Sequence, residues 1–232
     1  MNIGIIHGFV GGGGGTEKTL LAIIEALETT EHNVTLYTFS KPNLPTKKIR
    51  IKSFLPFSIP AFGLLQRAME SKLISKAKDE DVIIQASGGL SLPANSEQKV
   101  IVYCHNDFSN ETEKSNTKYK GIWALYYKTY YKLIMKFFEK INEANIHLIS
   151  NSKFIQQSIH EKFGKDSDVI PTPIEFSEFQ EKLRKKNQVV TIARFSKEKN
   201  LEFALDVMAY IETNYCVVGN TKTKSNIIYY NK

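Results

Sequence analysis

Five consecutive glycines, Gly11 to Gly15, separate the short apolar run Asn2 to His7 from a segment with helical periodicity, and no other feature restricts the fold so tightly. In Thr16 to Leu27 the apolar positions Leu20, Leu21, Ile23, Ile24 and Leu27 fall on one side of a helix. Val34 to Phe39 is rich in β-branched and aromatic residues and reads as a second strand. Strand, glycine turn, helix and strand make a βαβ unit, whose crossover requires parallel strands with helices on the sheet faces. A merely flexible glycine linker has no reason to sit at a strand-to-helix junction. At such a turn the helix presents its first backbone N–H groups, and glycines let a phosphate or sugar approach them closely.

The alternation persists along the chain. A short strand is predicted at Ile49 to Phe54 and a helix over Ala61 to Ala77. Strands follow at Val82 to Ala86 and Val100 to Cys104, then a long helix over Lys118 to Glu143 and a strand at Ile146 to Ser150. Asn151 or Ser152 caps a helix from Lys153 to Phe163, and Val169-Ile170 leads into Pro171-Thr172-Pro173, which stops regular structure. Residues 1–175 therefore read as one complete Rossmann-like domain, and the charged stretch 176–187 as a linker. The rhythm restarts in 188–232 with a strand at Val189 to Ala193, a helix at Leu201 to Thr213 and a strand at Tyr215 to Val218. So small a second unit cannot bury both faces of a parallel sheet by itself. The fold class is α/β: a full parallel-sheet domain and the start of another.

Composition narrows the setting. Of 232 residues 42% are hydrophobic, in short blocks, and none of these approaches the ~20 apolar residues that span a bilayer. The first residues carry no basic head and do not resemble a signal peptide. Cys104 and Cys216 are far apart, with neither disulfide nor zinc spacing, which fits a reducing cytoplasm. Thirty-one Lys and Arg against 24 Asp and Glu give a net charge of +7 and favour anionic partners, without choosing among nucleotide phosphates, acidic lipid and nucleic acid.

Two common phosphate-binding turns fit the glycine run poorly. A dinucleotide fingerprint counted from Gly11 needs glycine where Thr16 stands, and the second strand ends in Phe39-Ser40-Lys41 without a carboxylate for a ribose. An ATPase loop needs Gly-Lys-Ser/Thr, whereas Glu17 precedes Lys18-Thr19. Gly14-Gly15-Thr16-Glu17, opening a helix after the first strand, instead resembles the amino-terminal loop of glycosyltransferase family 4, retaining enzymes of the GT-B type. Further stretches in the family's order are Val102-Tyr103-Cys104-His105, the turn Ile149 to Phe154, Val169 to Ile174, and Val190 to Asn200. In the last of these an arginine, Arg194, stands just past a strand, and a lysine, Lys199, at the start of the next helix.

The resemblance implies transfer of a hexose from a UDP- or GDP-linked donor, with retention, to a lipid-linked glycan acceptor. The wording is nearest to the mannosyltransferases that build lipid-linked oligosaccharides. It implies His105 at the donor sugar, Arg194 and Lys199 on the diphosphate, and Gly13, Gly14, Gly15, Thr16 and Glu17 as an acceptor or phosphate loop. No metal, cofactor or nucleic-acid partner is implied. As a diphosphate leaves it gains negative charge, and a guanidinium can meet two of its oxygens at once. The family's paired glutamates, late in the second domain, have no counterpart before Lys232. The chain is accordingly expected to be cut short, with its activity alone in doubt and its complement on another polypeptide as one alternative. A non-catalytic acceptor- or membrane-binding subunit and a nucleotide-triphosphate-binding protein are the other classes. Between Trp123 and Phe138 aromatics recur beside Lys128, Lys132, Lys136 and Lys140. That pattern suits an anionic membrane surface, hence a peripheral position at its inner face, and equally suits a core-facing side opposite a solvated one.

Overall fold

Seven parallel strands form the sheet around which the first part of the chain is built, in the order β3-β2-β1-β4-β5-β6-β7. The computed structural model describes residues 1–8, 10, 14–40, 42, 44, 46, 48–55, 72–87, 97–106, 121, 124–125, 128, 132, 135, 139, 145–174, 186–195 and 199–219. The strands are β1 (Asn2–Ile6), β2 (Asn33–Ser40), β3 (Arg50–Leu55), β4 (Val82–Gln85), β5 (Lys99–Cys104), β6 (Ile146–Ser150) and β7 (Asp168–Val169). The chain divides into two units, Met1–Ile174 and Glu175–Lys232.

Parallel strands are covered on both faces, so each is apolar on both sides. On one face Ile5, Val34, Leu36 and Ala86 pack with Leu20 and Ile24 of α1 (Gly15–Glu28). On the other, Ile6, Tyr37, Ile83, Val102 and Leu148 pack with Leu73 and Ile74 and with Ile155 and Ile159 of α2 (Lys153–Phe163). The spacing of four in α1 (Leu20, Ile24) and in α2 (Ile155, Ile159) keeps each pair on one stripe. Each fully buried isoleucine or leucine contributes about 1.5–3 kcal/mol relative to an exposed one.

Sequence order reverses between β1 and its two neighbours: β1 pairs with β2 on one side and with β4 on the other, both in parallel. At such a reversal the crossover chains diverge above the carboxyl ends of the strands and leave a crevice there. Gly4 lies in the middle of β1, where an added Cβ would come 2.8 Å from Ile83 Cδ1 and 3.1 Å from Glu80 Cγ. Glycine there admits the close packing of Ile83 beside the buried Tyr37–Glu80 pair, joined by a 2.6 Å hydrogen bond. Burial and that carboxylate push the Tyr37 phenol well above its ordinary range.

The second unit contains β8 (Gln188–Ile192), α3 (Leu201–Met208) and β9 (Asn214–Val218), with β8 and β9 paired in parallel. Apolar side chains of both strands and of the helix, among them Ile192 (82%) and Phe203 (63%), are largely exposed.

Two details depart from the sequence reading. Asp168–Val169 is a strand, paired with Ile149 and Ser150, and the Ile170 N–H extends the ladder to the Ser150 carbonyl. The helix expected to reach Thr213 ends at Met208, because Tyr210 and Ile211 bond to carbonyls three residues back and tighten the chain into turns. Of the two caps that the sequence offered, Ser152 is the one that caps α2, as expected, accepting from the Ile155 N–H. Of the helix expected over 61–77 the described part, 72–76, is helical. The described positions of 118–143 from Ala124 onward are helical too. The remainder of both, and 176–185 of the linker, lie outside the described residues.

Candidate functional site

The carboxyl ends of β1, β4 and β5 lie side by side and bring the glycine turn and His105 to one edge of the sheet. With neighbouring strands about 4.8 Å apart, the ends of β1 and β5 are about 10 Å apart, with β4 between them. Gly14 is the N-cap of α1, in extended conformation with no side chain capping the helix. Its carbonyl accepts the N–H groups of Glu17 and Lys18. Among the described residues, a Cβ added at Gly14 or Gly15 would meet nothing within 4 Å. Neither a strained dihedral nor packing against the described residues therefore demands glycine, and among them the space beside this backbone is open. Thr16 and Glu17 form the first turn of α1, and Gly13 lies outside the described residues.

Thr19 does not behave as the threonine of an ATPase loop. It is 2% exposed, and its hydroxyl donates to the Gly15 carbonyl at 3.1 Å, whereas the hydroxyl of such a loop serves a metal-bound phosphate.

His105 follows β5 directly and is half-buried. Its Nε2 lies 3.0 Å from the Ala86 carbonyl oxygen at the end of β4. A carbonyl only accepts, so Nε2 carries the proton and the neutral ring presents Nδ1 as an acceptor. Burial lowers the imidazole pKa below its ordinary value, partly offset by the bond to Ala86, so the ring is neutral at neutral pH. A neutral acceptor suits a hydroxyl group better than an anion. The Asn151 side chain donates to the His105 carbonyl at 3.2 Å, and the Tyr103 ring lies 4.8 Å from the imidazole. Cys104, fully buried between them, has its thiol pushed up to about 12 by burial and offers no thiolate.

Two residues of this edge escaped the sequence reading. Gln85 is fully buried at the end of β4, donates to the Ser87 hydroxyl at 2.9 Å, and leaves Oε1 without a hydrogen-bond partner among the described residues. Its signal was a polar side chain closing the apolar run Val82-Ile83-Ile84. His7, buried at the end of β1, was read only as the end of a strand.

In the second unit Arg194 lies two residues past β8 and is exposed, as is Lys199, two residues before α3. Asn200 between Lys199 and the helix takes a left-handed conformation, φ 47°, which asparagine tolerates better than most residues. Gly219, just past β9, admits the close approach of the Ala193 carbonyl. A Cβ there would fall inside contact with that oxygen and 2.9 Å from the Phe195 ring. Gly219 thus packs against the residues that flank Arg194, at the carboxyl end of β8. Ser196 to Glu198 lie outside the described residues.

Comparison with known proteins agrees with this architecture. A family model described as Glycosyltransferase Family 4 matches residues 13–178. Among solved structures the chain is similar to WaaG, a glycosyltransferase involved in lipopolysaccharide biosynthesis, at 12% identity and TM-score 0.61, covering 97% of this chain and 72% of that one. It is also similar to the apo form of the lipopolysaccharide outer core galactosyltransferase WaaB, at 16% identity and TM-score 0.52, covering 100% of this chain and 64% of that one. No curated protein matches the sequence.

Proposed function

Since the chain belongs to glycosyltransferase family 4 and has the α/β fold of GT-B glycosyltransferases, we propose that it serves hexose transfer from a UDP- or GDP-linked donor to a lipid-linked glycan, with retention of configuration. The observation that carries this reading is the juxtaposition, at the β1/β4 reversal, of an open glycine turn and a neutral histidine. His105 accepts a hydrogen bond from a donor-sugar hydroxyl through Nδ1. Gly14, Gly15 and the first turn of α1 offer backbone N–H groups to phosphate or acceptor. Arg194 and Lys199 meet the charge that develops on the departing diphosphate, the guanidinium by two bonds at once. These cations do the work a divalent metal does elsewhere, so donor binding is metal-independent.

A lipid-linked acceptor accords with the exposed Lys128 and Lys132, one helical turn apart; their aromatic neighbours lie outside the described residues. Among the described residues no helix is long and apolar enough to cross a membrane. Vesicles of acidic lipid at low salt should retain the protein, and failure to do so removes the membrane from the account.

Thermal unfolding with a panel of ligands tests the assignment. UDP- or GDP-hexose should raise the midpoint, with or without EDTA, while ATP with magnesium should not. An ATP-dependent rise lost in Lys18→Ala, or no response to any sugar nucleotide, would overturn it.

A further inference from the structure

One hydrogen bond fixes a point on an imidazole and leaves the plane free to turn about that bond. Among the described residues the His105 side chain has one hydrogen-bond partner, the Ala86 carbonyl at Nε2, so a second contact is needed to set where Nδ1 points. Tyr103, near the end of β5, is two residues before His105, which follows the strand directly, and its side chain meets the imidazole. Its ring centroid lies 4.8 Å from that of His105 with the planes tilted by 52°, a favourable aromatic geometry. Tyr103 is itself 5% exposed, so it has little room to move. Its hydroxyl donates to the Ile170 carbonyl at 2.7 Å, 67 residues along the chain. Ile170 is held in turn by its N–H to the Ser150 carbonyl, and it begins the short run to Ile174 with which the first unit ends.

We propose that Tyr103 is a positioning residue for His105: its ring fixes the imidazole plane, and its hydroxyl ties the pair to the Ile170–Ile174 segment. The inference rests on the reading of His105 as a sugar-contacting group for its function, though not for its geometry. The ring and the hydroxyl have separable tasks. Removing the ring lets the imidazole rotate away from Ala86, whereas removing the hydroxyl alone leaves the imidazole in place and loosens Ile170.

The test uses the full chain labelled with ¹⁵N in the histidine rings. In the wild type the His105 signals should show a protonated Nε2 and a bare Nδ1. Tyr103→Phe should keep that single pattern, while Tyr103→Leu should average it toward a mixture of tautomers. Affinity for a UDP- or GDP-hexose should fall about fivefold in Tyr103→Leu and less than about twofold in Tyr103→Phe. Exchange of the Ile170 amide should accelerate in Tyr103→Phe as in Tyr103→Leu. An unchanged His105 pattern in a folded Tyr103→Leu variant overturns the positioning role. Should that variant fail to fold, Tyr103→Phe decides: a lost tautomer pattern, or Ile170 exchange equal to wild type, overturns it. Altered His105 signals with no sugar nucleotide bound by either protein would support Tyr103 while sinking the proposed function.

Discussion

Replacing His105 by alanine should cost stability in a pH-dependent way, and the sign follows from the site. The substitution removes the Nε2–H bond to the Ala86 carbonyl, worth about 1 kcal/mol for a neutral pair. It also removes the ring contact with Tyr103, worth about 0.5–1 kcal/mol. The expected loss above neutrality is therefore about 1.5–2 kcal/mol, or a fall of about 3–8 °C in Tm for a domain of this size. Burial holds the folded-state pKa of His105 below the ordinary 6.5. As pH falls below that value, the unfolded chain takes up a proton that the folded chain refuses, so the folded state loses stability relative to its value at higher pH. Alanine cannot titrate, so the advantage of the wild type over His105→Ala should shrink on acidification. Urea unfolding of both proteins at about pH 7.5 and about pH 5.5, each extrapolated linearly, reads the difference directly. A gap that widens at the lower pH would mean that the folded protein stabilises the imidazolium, and would refute the picture of a neutral ring donating to Ala86.

Two further outcomes follow from packing. Gly219→Ala drives a methyl against the Ala193 carbonyl and the Phe195 ring and strains the bond from the Ala193 N–H to the Val218 carbonyl. A cost of about 2–4 kcal/mol is expected, read as exchange of the Ala193 amide at least about tenfold faster; unchanged exchange would contradict the geometry. Gln85→Met removes a buried acceptor without a partner among the described residues, about 1–3 kcal/mol unfavourable, at the loss of one neutral bond to Ser87 of about 1 kcal/mol. The variant should be neutral or up to about 2 kcal/mol more stable in urea, and a loss beyond that would mean Oε1 is satisfied in solution.

Much of the fold was legible because parallel strands covered on both faces are written as predominantly apolar runs. Ile3 to Ile6, Val34 to Phe39, Val100 to Cys104 and Ile146 to Ser150 announce themselves in this way. The end of α2 is equally local: Gly164 takes φ 62° and its N–H bonds to the His160 carbonyl. The order of strands was not legible, since pairing β1 with β4 joins residues some eighty positions apart and leaves no local mark. Nor was β7, whose Asp168-Val169 is a strand only because β6 offers a ladder to join. Within the site, residue types and turn positions could be read, but partners could not. His105 was visible as a histidine closing a strand. That its Nε2 faces Ala86, and that Asn151 serves the His105 carbonyl rather than capping a helix, are contacts across the sheet. Tyr103 lay within reach, because it stands two residues before His105 at the end of β5, where the period of two along a strand is a guide.

The most direct test of the account is calorimetric titration of UDP- and GDP-hexoses into the wild-type chain and into Arg194→Ala. Saturable binding by the wild type, weakened at least about tenfold in the variant, is the predicted result for a charge-assisted contact to a diphosphate. Silence with every sugar nucleotide, or an affinity that Arg194→Ala leaves unchanged, would contradict it.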